Sequence, residues 1–353
     1  MTASRTKHVL WLIIRAVVSI VLAFLLIRVT MRTGDITPGD FISRITESSV
    51  WLLLAGFLLY GLGLAFTVIR WRVLLHTLGI TPSFSELVRL TMIGVFFNIA
   101  IPGAVSGDLI KMGYLARQTP GQRTEAILTI LLDRILGLLG LFVLAAALIA
   151  WSAPQLLSMG ARHRAVEVAV LVIGIGSFCA LAGVLLLEFR QKLIKHRWIA
   201  RLVDAGRRNL PGGVVGTIKK TTDSLELYRN SRRTLLFALM LAVGVHVSLG
   251  VSLLTLGRAA GEQQLRVRTY MLTMQVGNVV GSVPVTPGGL GTRDATVAGI
   301  LKAFGPRPQN AASLAPLFYS AVMVLWSLLG AIVFAIQPTS APTPDDVASE
   351  PET

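Results

Sequence analysis

Two long apolar segments of this chain, residues 84–116 and 269–304, are each interrupted near the middle by proline and glycine. Proline removes a backbone donor and glycine admits positive φ, so a helix in either segment must stop and leave amides and carbonyls without intrahelical partners. At membrane depth such a break is tolerated only where the backbone is buried in protein or lines a polar cavity. Any fold for this chain has to bring both breaks to a place of that kind.

A membrane is implied by the segments around them. Six further apolar runs, 9–29, 50–69, 124–151, 165–187, 234–256 and 311–337, are each long enough to span a bilayer. Over 353 residues the chain is 53% hydrophobic and 14% charged, more apolar surface than a water-soluble fold of this size buries. The first run would rise about 31 Å as a helix, with Arg15 and Arg28 toward its ends, where they can snorkel. A cleaved signal peptide is the competing reading of that run. Its length, and Arg28, Met31 and Arg32 where a small-residue cleavage site belongs, favour a retained helix. Cys179 is the sole cysteine, which excludes an internal disulfide and a cysteine-based zinc site.

The formal charge of +15 is concentrated between two apolar runs. Residues 188–233 hold Arg190, Lys192, Lys195, Arg197, Arg201, Arg207, Arg208, Lys219, Lys220, Arg229, Arg232 and Arg233. Such a cluster beside transmembrane helices marks a cytoplasmic loop facing anionic lipid, and no base-reading motif accompanies it to suggest nucleic acid. Phe189, Leu193, Trp198, Leu202 and Val203 recur at helical spacing there, the pattern of an amphipathic surface helix.

With this loop in the cytoplasm, the segment holding Pro102 enters from the cytoplasmic side and the one holding Pro287 from the opposite side, and both termini are cytoplasmic. The two prolines are 185 positions apart, as are Val50 and Leu235, and Thr124 and Gln309. The expected fold is therefore an all-α polytopic bundle of about eight membrane segments, six full spans and two re-entrant hairpins in an inverted repeat. One membrane unit, 1–337, comprises halves 1–151 and 165–337, and a disordered tail, 338–353, follows.

Half-helix ends at the midplane are where secondary transporters bind their substrates. The first break offers Asn98, Pro102, Gly103, Gly107, Asp108 and Lys111, and the second Asn278, Pro287, Gly288, Gly289, Gly291, Arg293 and Asp294. A lipid phosphate would suit the start of a helix near Ser106 with Lys111 one turn on, although Asp108 there serves equally well as a cap. Asp133 and Arg134 sit about 15 Å deep in the third span and point about 100° apart, so each needs a partner on another helix. Lys111 is a candidate for Asp133, and Asp108 or a lipid phosphate for Arg134; an ion pair of purely structural role is the plainer alternative. His246, midway along the fifth span, reads first as an interhelical contact and second as a proton carrier. The chain carries no metal-ligand spacing, nucleophile elbow, Walker loop or dinucleotide fingerprint, so no catalytic residue, metal or cofactor is assigned.

At these residues the chain resembles the flippase-like lysylphosphatidylglycerol synthase transmembrane-region family. The matching features are FFNxxxPGxxxGDxxK from Phe96 to Lys111, the adjacent Asp133 and Arg134, and PxTPGGLGxRD from Pro284 to Asp294. The resemblance implies a translocase for a phospholipid or other lipid-linked anionic amphiphile in the bacterial cytoplasmic membrane, with anionic membrane lipids and a membrane enzyme as partners. A transferase subunit acting on a lipid carrier is the alternative. Two departures bear on this. The family's aminoacyl-transferase unit is a large soluble C-terminal domain, and only residues 338–353 follow the last span, so lipid aminoacylation by this chain alone is not expected. Many relatives also carry an arginine after the tyrosine of the final span, where this chain has Tyr319 and Ser320.

Overall fold

The computed structural model describes residues 45–101, 106–158, 231–282, 286–304 and 310–336, together with Ser43, Gly176 and Tyr228. Their regular structure is helical, with no strand among them. In chain order the helices are α1 (Val50–Thr77), α2 (Phe84–Ala100), α3 (Ser106–Gln118), α4 (Arg123–Ser158), α5 (Arg232–Ala259), α6 (Val267–Gly281), a 3₁₀ turn at Pro287–Gly289, α7 (Thr292–Phe304) and α8 (Asn310–Ala335). The predicted spans 9–29 and 165–187, most of the basic loop, the amphipathic segment and the tail lie outside the described residues.

Among the described residues, four helices are long and apolar enough to cross a membrane: Val50–Thr77, Arg123–Ser152, Arg232–Ala259 and Leu314–Ala335. They correspond to four of the six predicted runs. Their outward faces carry large apolar side chains such as Trp51, Leu54, Leu58 and Leu62 on α1, at the spacing of one helical stripe. Lipid is the solvent that makes such a stripe favourable, so the chain is an integral membrane protein.

The apolar run ends at residue 69, and α1 continues through Arg70, Trp71 and Arg72 to Thr77. Arg70 and Trp71 are buried, because Asp133 neutralises the guanidinium and Thr129 Oγ1 accepts the indole N–H at 3.3 Å. Beyond Thr77, Gly79 turns the chain at φ 73°, and Ser83 caps α2 by accepting the Glu86 amide at 3.2 Å.

Both broken segments fold as pairs of short helices. α2 has 17 residues and α3 has 13, giving rises of about 25 and 20 Å, less than the roughly 20 residues a full crossing needs. α6 and α7 are of similar length. α1 packs along α5, α2 against α3 and α8, and α6 against α7 and α4. Small residues permit these approaches, as expected where packing rather than the hydrophobic effect joins helices in lipid. A Cβ on Gly56 would lie 2.6 Å from Leu256, and Ser252 donates to the Gly56 carbonyl at 2.7 Å, fastening α5 to α1. Trp326 of α8 stacks on Phe57 of α1 at 4.8 Å and donates to its carbonyl at 3.1 Å.

Candidate functional site

The two breaks meet in the interior. α2 unwinds after Ala100, and the Pro287–Gly289 turn comes up against it: a Cβ on Gly288 would lie 3.0 Å from Ile99 Cγ1. Gly288, Gly289 and Gly291 have φ of 56°, 75° and 85°, a conformation that costs glycine little and other residues much. Gly289 also sits against Gly281, where an added Cβ would come within 2.8 Å of its Cα. The predicted break thus exists for two physical reasons: positive φ, and backbone packed directly on backbone.

Beside this junction lies a cavity of about 350 Å³, walled by α1, α2, α3, α4, α5 and the second hairpin. Its polar lining includes Arg70, Thr91, Asn98, Asp108, Lys111, Asp133, Arg134, His246 and Asn278, while Tyr60, Leu64, Leu138, Leu141 and Met323 supply much of the apolar remainder. Each unpaired charge at such depth costs about 3 kcal/mol on insertion scales, so the pairing inside the cavity is what makes the cluster tenable.

Arg70 and Asp133 form a two-pronged pair, Nε to Oδ1 at 2.6 Å and Nη2 to Oδ2 at 3.0 Å. Asp133 is therefore held by α1 and not, as the sequence reading proposed, by Lys111. The Arg70 guanidinium also lies against Gly137 of α4, where a Cβ would make ordinary contact at 3.5 Å with both Nη atoms. Arg134, the next residue, donates through Nε to Asp108 Oδ2 on α3, one of the two partners considered for it. Lys111 approaches the other oxygen of Asp108, Nζ to Oδ1 at 3.7 Å, with its ammonium 4.3 Å from the centre of the Trp71 ring. Lys111 threads past α2 at Gly94, where a Cβ would meet its Cδ at 2.7 Å.

Asn98 works differently from the expectation that the start of α3 is open to a phosphate. Its Oδ1 accepts the Gly107 amide at 2.9 Å, so the helix start is capped from within. His246 makes the expected interhelical contact, Nε2 to the Gly137 carbonyl at 3.1 Å, and also lines the cavity. Its Nδ1, Thr91 Oγ1 and Asn278 Nδ2 are buried without hydrogen-bond partners.

Arg293 and Asp294 stand behind the cavity wall. Arg293 Nη2 donates to Asp294 Oδ1 at 2.9 Å and to Ser320 Oγ at 2.7 Å, and Ser320 donates to Asp294 Oδ2 at 2.7 Å. Nη1 rests on the Met323 sulfur at 3.0 Å and the guanidinium lies 4.8 Å over the Tyr319 ring. Asp294 additionally accepts the Gly291 amide at 3.1 Å, closing the first turn of α7. Of the residues singled out from sequence, Asn98, Asp108, Lys111, Asp133, Arg134, Asn278 and Gly288 line the cavity; Gly107, Gly289, Gly291, Arg293 and Asp294 build the elements around it. Pro102 and Gly103 lie outside the described residues, and of Pro287 only the backbone is described. Arg70 and Thr91 were missed. Arg70 had a signal in being a charge directly beside a long apolar run.

Among the described residues, no three His, Cys, Asp or Glu side chains converge to hold a metal ion. The cavity can receive an anion through Arg134 and Lys111 and hydrogen-bonding groups through Thr91, His246 and Asn278.

The model of a family described as the lysylphosphatidylglycerol synthase TM region matches residues 12–330, a stretch that takes in every cavity residue. The chain belongs to this family. It is similar to a UPF0104 membrane protein of Methanothermobacter thermautotrophicus, 26% identical over 310 residues that cover 81% of this chain and 84% of the relative. A UPF0104 membrane protein of Pyrococcus horikoshii is 22% identical over 315 residues, covering 83% and 89% of the two chains. Both similarities extend across most of each chain, so this family member is related along its length and not through a single motif.

Proposed function

We propose that the protein is a flippase-like translocase for a phospholipid or another lipid-linked anionic amphiphile. The observation that carries this reading is the position of Arg134. Its side chain is 44% exposed and lines the cavity, while Leu131, Ile135 and Leu138 on the same helix are exposed apolar side chains. A cation thus sits where a polar cavity meets the apolar outer surface, so an amphiphile can place its head group inside and leave its acyl chains along α4. The family's descriptive name, which ties it to a lipid-modifying enzyme, agrees with a lipid cargo.

The two halves are read as an inverted repeat in the cytoplasmic membrane, with the basic loop and both termini inside. Supporting the repeat, α2–α3 and α6–α7 are matching short hairpins, and the packing of α2 on α8 is answered by that of α6 on α4. Further support comes from two interactions 186 positions apart: Asp108 with Arg134, and Asp294 with Ser320. Alternate exposure of one cavity to the two leaflets is the mechanism such a repeat serves.

The test is leaflet exchange of fluorescent lipids in liposomes holding the purified protein. Exchange of phosphatidylglycerol, phosphatidylethanolamine or a polyprenyl phosphate above the rate in empty liposomes is expected, together with its loss in Arg134→Gln and partial retention in Arg134→Lys. Absence of exchange across that panel overturns the translocase, and product formation from an activated donor would point to the transferase subunit instead.

A further inference from the structure

We infer that Asp108 is an internal substitute for the substrate's anionic group, holding Lys111 and Arg134 until a phosphate-bearing head group displaces it. This rests on the cavity being the head-group site proposed above, and it assigns Asp108 a role opposite to that of a direct ligand.

Charge accounting makes the case. Arg70 and Asp133 satisfy each other through two hydrogen bonds and form a neutral unit. What remains beside them is two cations, Lys111 and Arg134, with one carboxylate, Asp108. Asp108 is 3% exposed and spends one oxygen on each cation. This is the arrangement in which two oxygens of a phosphate would bridge a lysine and an arginine.

Neither cation is fully used by the carboxylate. Lys111 Nζ stands 3.7 Å from Oδ1, an ion-pair separation and not a hydrogen bond. Arg134 engages Asp108 through Nε, on a side chain 44% exposed, so its two Nη groups remain on offer to a second anion. A phosphate approaching the outward edge of Arg134 meets those Nη groups before it meets Asp108, and can take Arg134 over stepwise.

An independent observation points to a ligand at the same place. Thr91 Oγ1, His246 Nδ1 and Asn278 Nδ2 belong to residues that line the cavity, and each is buried without a partner. Buried polar atoms left unpaired are costly, and three around one cavity are groups awaiting hydrogen bonds. The ligand class that answers both the cations and these groups is a phosphate or phosphodiester carrying further polar atoms. That chemistry occurs in a lipid head group and in free phosphate alike.

As a competitor, Asp108 lowers affinity and speeds release, so removing its charge tightens binding while slowing turnover. The experiment compares wild type with Asp108→Asn in detergent, titrating inorganic phosphate in one arm and dioctanoyl phosphatidylglycerol in the other by calorimetry. Leaflet exchange is measured on the same preparations. The expected result is binding at least about tenfold tighter in Asp108→Asn, with exchange slower than wild type. Tightening in both arms identifies the phosphate group as the ligand, and tightening in the lipid arm alone identifies the head group on its lipid.

Unchanged or weaker binding by Asp108→Asn, with wild type exchanging lipid, overturns the inference and leaves the translocase standing. Failure of wild type to bind or exchange overturns both. A measurement on wild type alone guards against misfolding of the variant. Infrared difference spectra on adding either probe should show a perturbed aspartate carboxylate band as Asp108 leaves its cations, and an unperturbed band during saturable binding rejects the displacement.

Discussion

Arg70 and Asp133 join α1 to α4 by two parallel hydrogen bonds of 2.6 and 3.0 Å, with both side chains less than one-tenth exposed. Because both are largely withdrawn from solvent, removing one partner leaves the other a poorly compensated charge. Asp133→Asn or Arg70→Met should destabilise the protein by about 3–5 kcal/mol, whereas the double variant Arg70→Met with Asp133→Leu should lose less than either single change. Unfolding in mixed detergent micelles measures all three, and a double variant at least as unstable as the worse single one would contradict this account of the pair.

Gly107 and Gly113 lie on the same short helix and predict opposite outcomes. A Cβ at Gly107 would strike the Gly94 carbonyl and come within 2.7 Å of Asn98, whereas a Cβ at Gly113 would meet nothing within 4 Å. Gly107→Ala should wedge α3 from α2 at a cost of about 1–3 kcal/mol. Gly113→Ala should be neutral or stabilising by up to about 1 kcal/mol, from helix propensity. Thermal melts of the two variants side by side separate the effects.

Ser320 is fully buried, giving a hydrogen bond to Asp294 and receiving one from Arg293, each 2.7 Å long. Ser320→Ala leaves Asp294 its bonds to Arg293 and the Gly291 amide, so the loss should be moderate, about 1–3 kcal/mol. The same melts measure it, and Ser320→Thr, which keeps the hydroxyl, should recover part of the difference.

The proposed orientation is open to chemical labelling. In a Cys179→Ser background, a cysteine replacing exposed Thr81, between α1 and α2, should react with an impermeant maleimide only from the cytoplasmic side. One replacing exposed Gln263, between α5 and α6, should react only from outside. Labelling of both from one side would remove the inverted topology.

Much of the architecture is legible in the chain because length and hydropathy govern it. Proline and glycine end α2 near Ala100, and the start of α3 at Ser106 is the start expected for it. Asp108 and Arg134 are also found together, since deep charges must pair. What the chain does not disclose is side-chain direction across helices. Arg70 stands beside Trp71 and Arg72, a polar trio that marks a membrane boundary when read along one helix. Only the packing of α1 against α4 brings Arg70 to Asp133. Lys111 in turn reaches back one turn to Asp108 on its own helix, a pairing local geometry favours over the longer reach to Asp133. The motif groups Arg293 with the other cations, but adjacent Asp294 and the hydroxyl of Ser320 hold it behind the wall.

Gly288 rests on Ile99 with no side chain of its own between them. Residues far apart in sequence thereby become mechanical neighbours, and a shift of the Pro287–Gly289 turn is delivered to the end of α2 by direct contact. Transmission of that kind needs no relay of polar groups, so it is insensitive to salt and vulnerable to bulk. One added methyl group at position 288 would act as a shim, pushing the turn away from the end of α2 while adding or removing no charge in the cavity.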